Sequence, residues 1–420
     1  MENRSEIPFL RTRLSVQMFL QFAIWGSWAP VLFKHLLNIG FSSGEAGIIM
    51  GTGPLAIMIS PLIAGQIADR WFPTQRFLAF AYVGTGALLW KASLIKGPDS
   101  QMWWLSLAAM LLFGPTLGLS NALCFHHLKD ARADFPLIRV WGTLGWIASA
   151  WTVTQVMTWG KLDLSACLMV GSIFAVVNGF YCLTLPNTPP NREKRDQFAI
   201  AKILKMFGDT SFALFSVLAF FLLAFATFYY FKTAEFFPTL GIPDAWLGPT
   251  QTIGQVAEIL TMIILPFAYK ALGTKKTIAI GLLAWAVRFG VFSLGRPAWL
   301  VIASQSLHGV CFAFAIAAAM IYFERICEPD VRATMQSFLS WITYGLGMFV
   351  GAMGMGSVAN AYSTPDPAHP GKTILDWNGF WSVPAIGCAV ILVIFLIGFR
   401  ARDEEKEVPA ELKAEALPVA

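Results

Sequence analysis

Long apolar stretches alternate with short polar segments along almost the whole chain of 420 residues. Each apolar stretch is close to the roughly 20 residues that an α-helix needs to cross a bilayer. Read as helices, they predict twelve membrane spans at residues 14–33, 46–67, 77–95, 102–124, 137–158, 164–185, 211–236, 249–269, 277–294, 298–323, 333–357 and 380–399. The predicted fold class is therefore an all-α integral membrane protein.

The most polar internal segment, residues 186–210, contains adjacent prolines and a basic cluster, which is typical of a linker in water. It divides the chain into two predicted six-helix bundles, residues 14–185 and 211–399. Two tails flank them, residues 1–13 and 400–420. The second tail alternates charge with alanine and proline and has no apolar face to bury.

Composition supports a membrane protein, because 56% of the residues are hydrophobic, 13% are charged and the mean hydropathy is +0.61. The net charge of +5 follows membrane orientation and does not indicate a nucleic-acid partner. Of the 30 Lys and Arg residues, 21 lie in the two tails and the even-numbered connections, and five lie in the odd-numbered ones. Basic residues favour the cytoplasmic side, so both termini are predicted there, in a multi-pass protein of the bacterial inner membrane.

The sequence lacks the motifs that are characteristic of several functional classes. The sequence contains no P-loop, HExxH or GxSxG motif and no large aqueous domain, which argues against an enzyme and against an ATP-driven pump. The six cysteines show no CxxC spacing, so neither disulfides nor a metal site is predicted. No cofactor is expected.

Five sequence features resemble known transporters. The six-plus-six plan and the turn Gly65, Ala68, Asp69, Arg70 resemble the major facilitator superfamily. The segments LSVQMFLQFAIWGSWAPVL, DFPLIRVWGTLGW and GQVAEILTMIILPF, in the first, fifth and eighth spans, resemble the nucleoside:proton symporter family. The resemblance implies a carrier that imports nucleosides with protons through a central cavity opening alternately to either side. Asp69 and Arg70 are then predicted to act as a cytoplasmic gate latch.

Arg139, Thr143 and Trp146 have the spacing i, i+4, i+7, which places them on one face of the fifth span. A nucleoside offers a flat base and vicinal hydroxyls, which suit an indole plane, a hydroxyl and a guanidinium. The resemblance implies that the Arg139 and Thr143 positions line the substrate cavity. The alternative is that Arg139, close to Pro136, anchors the helix at the cytoplasmic interface.

Gln255 and Glu258 form a second polar stripe in the eighth span, and the resemblance implies that both bind substrate. A carboxyl group in a low-dielectric site can take up and release a proton as its access to water changes, so Glu258 is the predicted proton carrier. Its alternative role is a static salt bridge to Arg139 or Arg288. A second acidic residue usual in the family aligns with Ala313.

This departure leaves the coupling open between Glu258 alone, a contribution from His308 and uniport. Other candidate substrate contacts are spread over four spans. They are Gln21 and Trp25 in the first span, Asn121 in the fourth, Thr227 and Tyr230 in the seventh, and His308 and Phe312 in the tenth. Gln21 and Trp25 share a face with Trp28, and an aromatic interface belt is the alternative explanation for that face. Thr227 and Tyr230 align with substrate-facing positions of the family but differ in residue type.

These features together predict a monomeric secondary transporter whose partners are a nucleoside, protons and the lipid bilayer. Arg139, Gln255 and Glu258 are placed at its centre. A sugar or other small polar solute symporter of the same fold, a nucleoside uniporter and a non-transporting membrane receptor remain as alternatives.

Overall fold

The structure is a computed structural model that describes residues 8–63, 72–128, 131–189, 206–326, 332–367 and 373–401. Helices dominate these residues. In chain order they are α1 (Leu10–Trp28), α2 (Leu32–Asn38), α3 (Ser43–Met50), α4 (Thr52–Ile63), α5 (Thr74–Ser93), α6 (Gln101–His127), α7 (Ala131–Gly160), α8 (Ala166–Cys182), α9 (Thr210–Phe236), α10 (Leu247–Leu294), α11 (Ala298–Ala303), α12 (Leu307–Val310), α13 (Ala318–Ile326), α14 (Arg332–Ser340), α15 (Met348–Ala361) and α16 (Trp377–Gly398).

Seven helical stretches of the described residues are long and apolar enough to cross a membrane. They are Leu10–Asn38, Gln101–His127, Thr210–Leu240, Asp244–Leu294, Ala298–Phe323, Phe338–Ala361 and Trp377–Gly398. Ser43–Ile59 and Ala166–Cys182 are shorter apolar helices. Each predicted span overlaps at least one helix, and the helix ends differ by a few residues.

Two predicted spans, 249–269 and 277–294, correspond to two helical segments of α10 that meet at a kink. The chain turns at Gly273, whose φ of 72° and ψ of 170° are not helical. A side chain at this φ would be strained, so glycine is the residue that permits the turn. The polar turn predicted between the two spans is therefore present, and it separates two helical segments.

The first predicted span also departs from a simple helix, because α1 ends at Trp28 and α2 begins at Leu32. Pro30 lies in the break, where it removes one backbone donor. Two further irregularities are π-helical turns, which we call π1 (Cys311–Ala317) and π2 (Trp341–Gly347). Such turns widen a helix locally and are common at functional sites.

The connection before α16 differs from the all-α prediction. Ser363–Pro365 (β1) and Thr373–Leu375 (β2) pair as a two-stranded antiparallel sheet, with Ser363 opposite Leu375. The sequence predicts no element here, because residues 358–379 lie between the last two predicted spans. The sheet is confined to the connection and leaves the helical architecture unchanged.

Glycines set the closest helix contacts. A Cβ built on Gly145 of α7 would lie 2.0 Å from the carbonyl oxygen of Phe19 on α1, so only hydrogen fits there. A Cβ built on Gly309 of α12 would lie 2.3 Å from the carbonyl oxygen of Ala257 on α10. Small residues let membrane helices approach in this way. The two contacts place the polar face of α7 beside α1, and His308 beside the Glu258 helix.

The helices before residue 190, the amino-terminal half, contact those after residue 205, the carboxyl-terminal half, at one end of the molecule. The Gln251 side chain donates to the Pro30 carbonyl at 3.0 Å, and Thr154 donates to the Ala245 carbonyl at 2.6 Å. Lys232 donates to the Ser43 hydroxyl at 3.2 Å. The charge pattern predicts that this end faces the outside, and we call these three contacts the outer contacts.

Candidate functional site

The α7 face retains the predicted grouping. The guanidinium carbon of Arg139 lies 4.0 Å from the centre of the Phe22 ring, which is a cation–π distance. Trp146 meets Trp25 edge to face with ring centres 5.5 Å apart. Thr143 is half-buried on the same helix. The α7 face and the α1 helix therefore present an aromatic wall next to a cation.

Arg139 and Glu258 come from different halves, and their opposite charges interact electrostatically. The Glu258 side chain is 22% exposed, so it is neither sealed in the core nor open to bulk solvent. Tyr344 in π2 lies near both charged groups, and Tyr230 of α9 lies near Glu258. This meeting of α7, α9, α10 and π2 is the candidate site.

Gln255 lies one helical turn before Glu258 and is half-buried. Its Oε1 atom is buried and has no hydrogen-bond partner among the described residues. Phe312, in π1, is half-buried as well. A buried amide oxygen without a partner is a suitable contact for a polar heterocycle, because a buried acceptor is costly until a donor reaches it.

Other predicted contacts are engaged within the protein. Thr227 is fully buried, its hydroxyl donates to the Leu223 carbonyl at 2.9 Å, and it packs against Gly351. Gln21 is fully buried and accepts a hydrogen bond from Gln17 at 3.1 Å, while its own Nε2 has no partner in the described part of the chain. Asn121 is half-buried on α6. Asp69 and Arg70 lie outside the described residues.

His308 differs from the role suggested by its position. It is 3% exposed, and its Nδ1 lies 3.0 Å from Nη1 of Arg288. Its Nε2 lies 3.8 Å from Oε2 of Glu258. Arg288, considered in the sequence as a direct partner of Glu258, therefore reaches that carboxylate through the imidazole.

Sequence reasoning missed two buried polar networks. In the amino-terminal half, Gln17 donates to Ser120 at 2.8 Å and to Tyr82 at 3.3 Å. In the carboxyl-terminal half, Gln305 accepts from Arg288 at 2.8 Å and from Tyr229 at 2.9 Å. Spacing carried a usable signal, because Gln17 precedes Gln21 by four residues and Gln305 precedes His308 by three.

The carboxyl group of Asp163, outside the predicted spans, has a shifted pKa. Asp163, between α7 and α8, accepts hydrogen bonds from the backbone N–H of Ser165 at 2.9 Å and from its hydroxyl. These bonds favour the ionised carboxylate and lower the pKa of Asp163. Lys96 lies 3.7 Å away and adds to the effect.

A helical membrane protein whose two halves meet around an opposite-charge pair and aromatic rings has the architecture of a secondary transporter. The chain belongs to the nucleoside H+ symporter family of the major facilitator superfamily, since the family model matches residues 9–404. It is a multi-pass membrane protein, and its relatives are permeases and not enzymes, which confirms the prediction that it is not an enzyme.

The individual relatives agree with this assignment. The putative nucleoside transporter YegT of Escherichia coli K12 is 31% identical over 410 residues, which is 94% of each chain. The xanthosine permease of the same strain is 28% identical and covers 94% of this chain and 97% of its own. A crystal structure of a mutant of the nucleoside transporter NupG superposes with a TM-score of 0.83 at 25% identity, covering 93% of this chain and all of that one.

Proposed function

We propose that the protein imports nucleosides across the bacterial inner membrane by proton symport. Two six-helix bundles, residues 14–185 and 211–399, would rock about the central site to open it alternately to each side. The linker 186–210 and the tails 1–13 and 400–420 would lie in the cytoplasm, and the protein would act as a monomer. The family assignment and the substrates for which its relatives are named support the substrate class.

The observation that carries the proposal is that Arg139 of one half and Glu258 of the other lie close enough for their charges to interact. A solute held at this point contacts both bundles, which is what alternating access requires. In the proposed site the base stacks between Trp146, Trp25 and Phe312. Arg139, Thr143 and Gln255 hydrogen-bond its polar edges, with Tyr230 and Asn121 at the margins.

Four other predicted residues would act from further away. Thr227 and Gln21 are fully buried, so their proposed contribution is to hold the neighbouring helices in place. Asp69 and Arg70 remain the proposed latch of the cytoplasmic gate.

Glu258 is the proposed proton carrier. Its carboxylate has a permanent cation from the opposite half as partner, so any movement of the halves changes the free energy of its ionised form. Protonation neutralises the carboxyl group and weakens its pairing with Arg139, which frees the guanidinium for substrate. Proton and nucleoside binding are then thermodynamically linked at one site.

The test is uptake of radiolabelled uridine into proteoliposomes with an imposed pH gradient, inside alkaline. Wild type should accumulate uridine and acidify the vesicle interior. Glu258→Gln, which mimics the protonated carboxyl, should lose gradient-driven accumulation but retain exchange of internal for external uridine. Asp163→Asn, the same chemical change outside the membrane, is the matched control and should behave as wild type.

A panel of competitors separates the alternatives. Competition by galactosides in place of nucleosides would identify a sugar symporter. Binding of uridine without accumulation or exchange by wild type would identify a receptor.

One observation favours uniport as a second candidate function. Ala313, the position of the family's second acid, is fully buried in π1 and offers no proton-binding atom. Saturable uridine uptake that neither follows the pH gradient nor changes the internal pH would establish a uniporter.

A further inference from the structure

A permanent cation is sealed in the carboxyl-terminal half. Arg288 is fully buried, and its Nη2 donates to Oε1 of Gln305. The guanidinium carbon lies 3.7 Å from the centre of the Tyr229 ring. Among the described residues Arg288 forms no salt bridge, although a buried charge without compensation is strongly unfavourable inside a membrane. A second hydrogen bond of the guanidinium, through Nη1, is with Nδ1 of His308.

That contact fixes the chemistry of the imidazole. A guanidinium has only donors, so Nδ1 of His308 must accept the hydrogen bond from Arg288. The ring hydrogen is then on Nε2, which is the atom that faces Oε2 of Glu258 at 3.8 Å. Tyr229 and Trp285 flank the ring at 5.6 and 6.4 Å between ring centres and restrict its rotation. A small shift of the Glu258 side chain brings the carboxylate into hydrogen-bond range.

We propose that His308 is a positioning residue for the proton step: Arg288 orients its ring, and its Nε2–H donates to Glu258 whenever that carboxyl group is ionised. The proposal rests on the proposed role of Glu258 as proton carrier. His308 transfers no proton itself, because Nδ1 is held by Arg288. It transmits the charge of a buried guanidinium to a carboxylate that the guanidinium does not touch.

This arrangement gives a physical reason why the site can function with Ala313 in place of a second acid. A second carboxylate would destabilise the ionised form of Glu258 by like-charge repulsion, whereas a buried cation acting through an imidazole stabilises it. Two cations, Arg139 and Arg288, then act on one carboxyl group from opposite halves. The protonation of Glu258 is then controlled by two cations, where a second carboxylate would otherwise control it.

Several other groups surround the two partners and must be held constant in a test. Glu258 faces Arg139 of α7, Tyr230 of α9, Tyr344 of π2 and His308 of α12. His308 faces Arg288 and Trp285 of α10 and Tyr229 and Tyr230 of α9. A substitution at His308 therefore leaves Arg139 and both of the phenols that face Glu258 in place.

The experiment compares His308→Leu, His308→Gln and wild type in the uridine proteoliposome assay. His308→Leu should lose at least tenfold of the gradient-driven accumulation, retain counterflow within twofold and show its pH midpoint of uptake at more alkaline pH, because the ionised carboxylate has lost a donor. His308→Gln should retain most of the accumulation, since an amide can accept from Arg288 and donate to Glu258. His35→Leu, which replaces a buried histidine of α2, is the matched control and should leave the midpoint unchanged.

A further variant tests the same contact without changing His308, in case His308→Leu does not fold. Arg288→Gln keeps the imidazole but removes its cation, and it should shift the midpoint in the same direction. The proposal is overturned if His308→Leu weakens uridine binding and counterflow as much as driven uptake. It is also overturned if His308→Leu and Arg288→Gln both keep the wild-type pH midpoint of uptake. If wild type itself shows no gradient-driven accumulation, the proposed symport is wrong, and the proposed role of His308 is wrong with it.

Discussion

The outer contacts should set the equilibrium between the closed and open states of that end, and Thr154 offers the cleanest test. Its hydroxyl donates to the Ala245 carbonyl of the other half at 2.6 Å. Thr154→Val keeps the shape of the side chain and removes the donor. A neutral hydrogen bond contributes about 0.5–1.5 kcal/mol net, so the open state should gain about 1 kcal/mol. That is about a fivefold increase in its population.

The assay is labelling of a cysteine by a membrane-impermeant maleimide applied from outside. Ala150→Cys places the thiol in the interface, because Ala150 is 2% exposed and packs against Gly248 of the opposite half. The labelling rate should rise about fivefold in the Thr154→Val background. The parent without Ala150→Cys gives the background rate from native thiols.

Thr152→Val is the matched control, since its hydroxyl donates to Ala148 within α7 and makes no contact between halves. It removes one hydroxyl from the same helix and should leave the rate unchanged. Equal labelling rates for Thr152→Val and Thr154→Val would refute the assignment of the outer contacts as a closing force. An intermediate result of about twofold would place the bond at the low end of the expected range.

Three further predictions concern binding, packing and pH. Arg139→Lys keeps the charge but loses the planar stack on Phe22, and uridine affinity measured by titration should fall about fivefold, since such contacts contribute about 1 kcal/mol; unchanged affinity would contradict it. Gly309→Val forces its Cβ against the Ala257 carbonyl and should reduce stability by about 1–3 kcal/mol, seen as a lower Tm in detergent. The lowered pKa of Asp163 stabilises the folded state above the ordinary value of 3.8 and loses that effect as pH falls below it; the Tm gap between wild type and Asp163→Asn should therefore close only in strong acid.

Sequence patterns predicted the helices well because apolar length is a direct consequence of bilayer thickness. They predicted the i, i+4, i+7 face of Arg139 and Trp146 because helical periodicity fixes which side chains share a face. They also predicted a turn between the two spans of α10, and the structure has it at Gly273. The two π turns were missed, because apolar length and periodicity do not distinguish a π-helical turn from an α-helical one.

Partner choice was the harder problem. The sequence offered Arg139 and Arg288 as alternative partners of Glu258, and spacing along the chain could not decide between them. The structure relates Glu258 to both, to Arg139 across the halves and to Arg288 through His308. Thr227 illustrates a different difficulty. Its position aligned with a substrate-facing position of the family, but its hydroxyl donates to a carbonyl of its own helix.

The different origins of the two cations suggest how movement could control the proton. Arg288 and His308 belong to the same half as Glu258, so their effect on the carboxylate should stay nearly constant when the halves rock. Arg139 belongs to the other half, so its distance to Glu258 changes with the conformation. At an effective dielectric constant of about 20, moving two unit charges from 4 to 8 Å apart weakens their attraction by about 2 kcal/mol. That is more than a tenfold change in proton affinity, which is enough to bind a proton in one state and release it in the other.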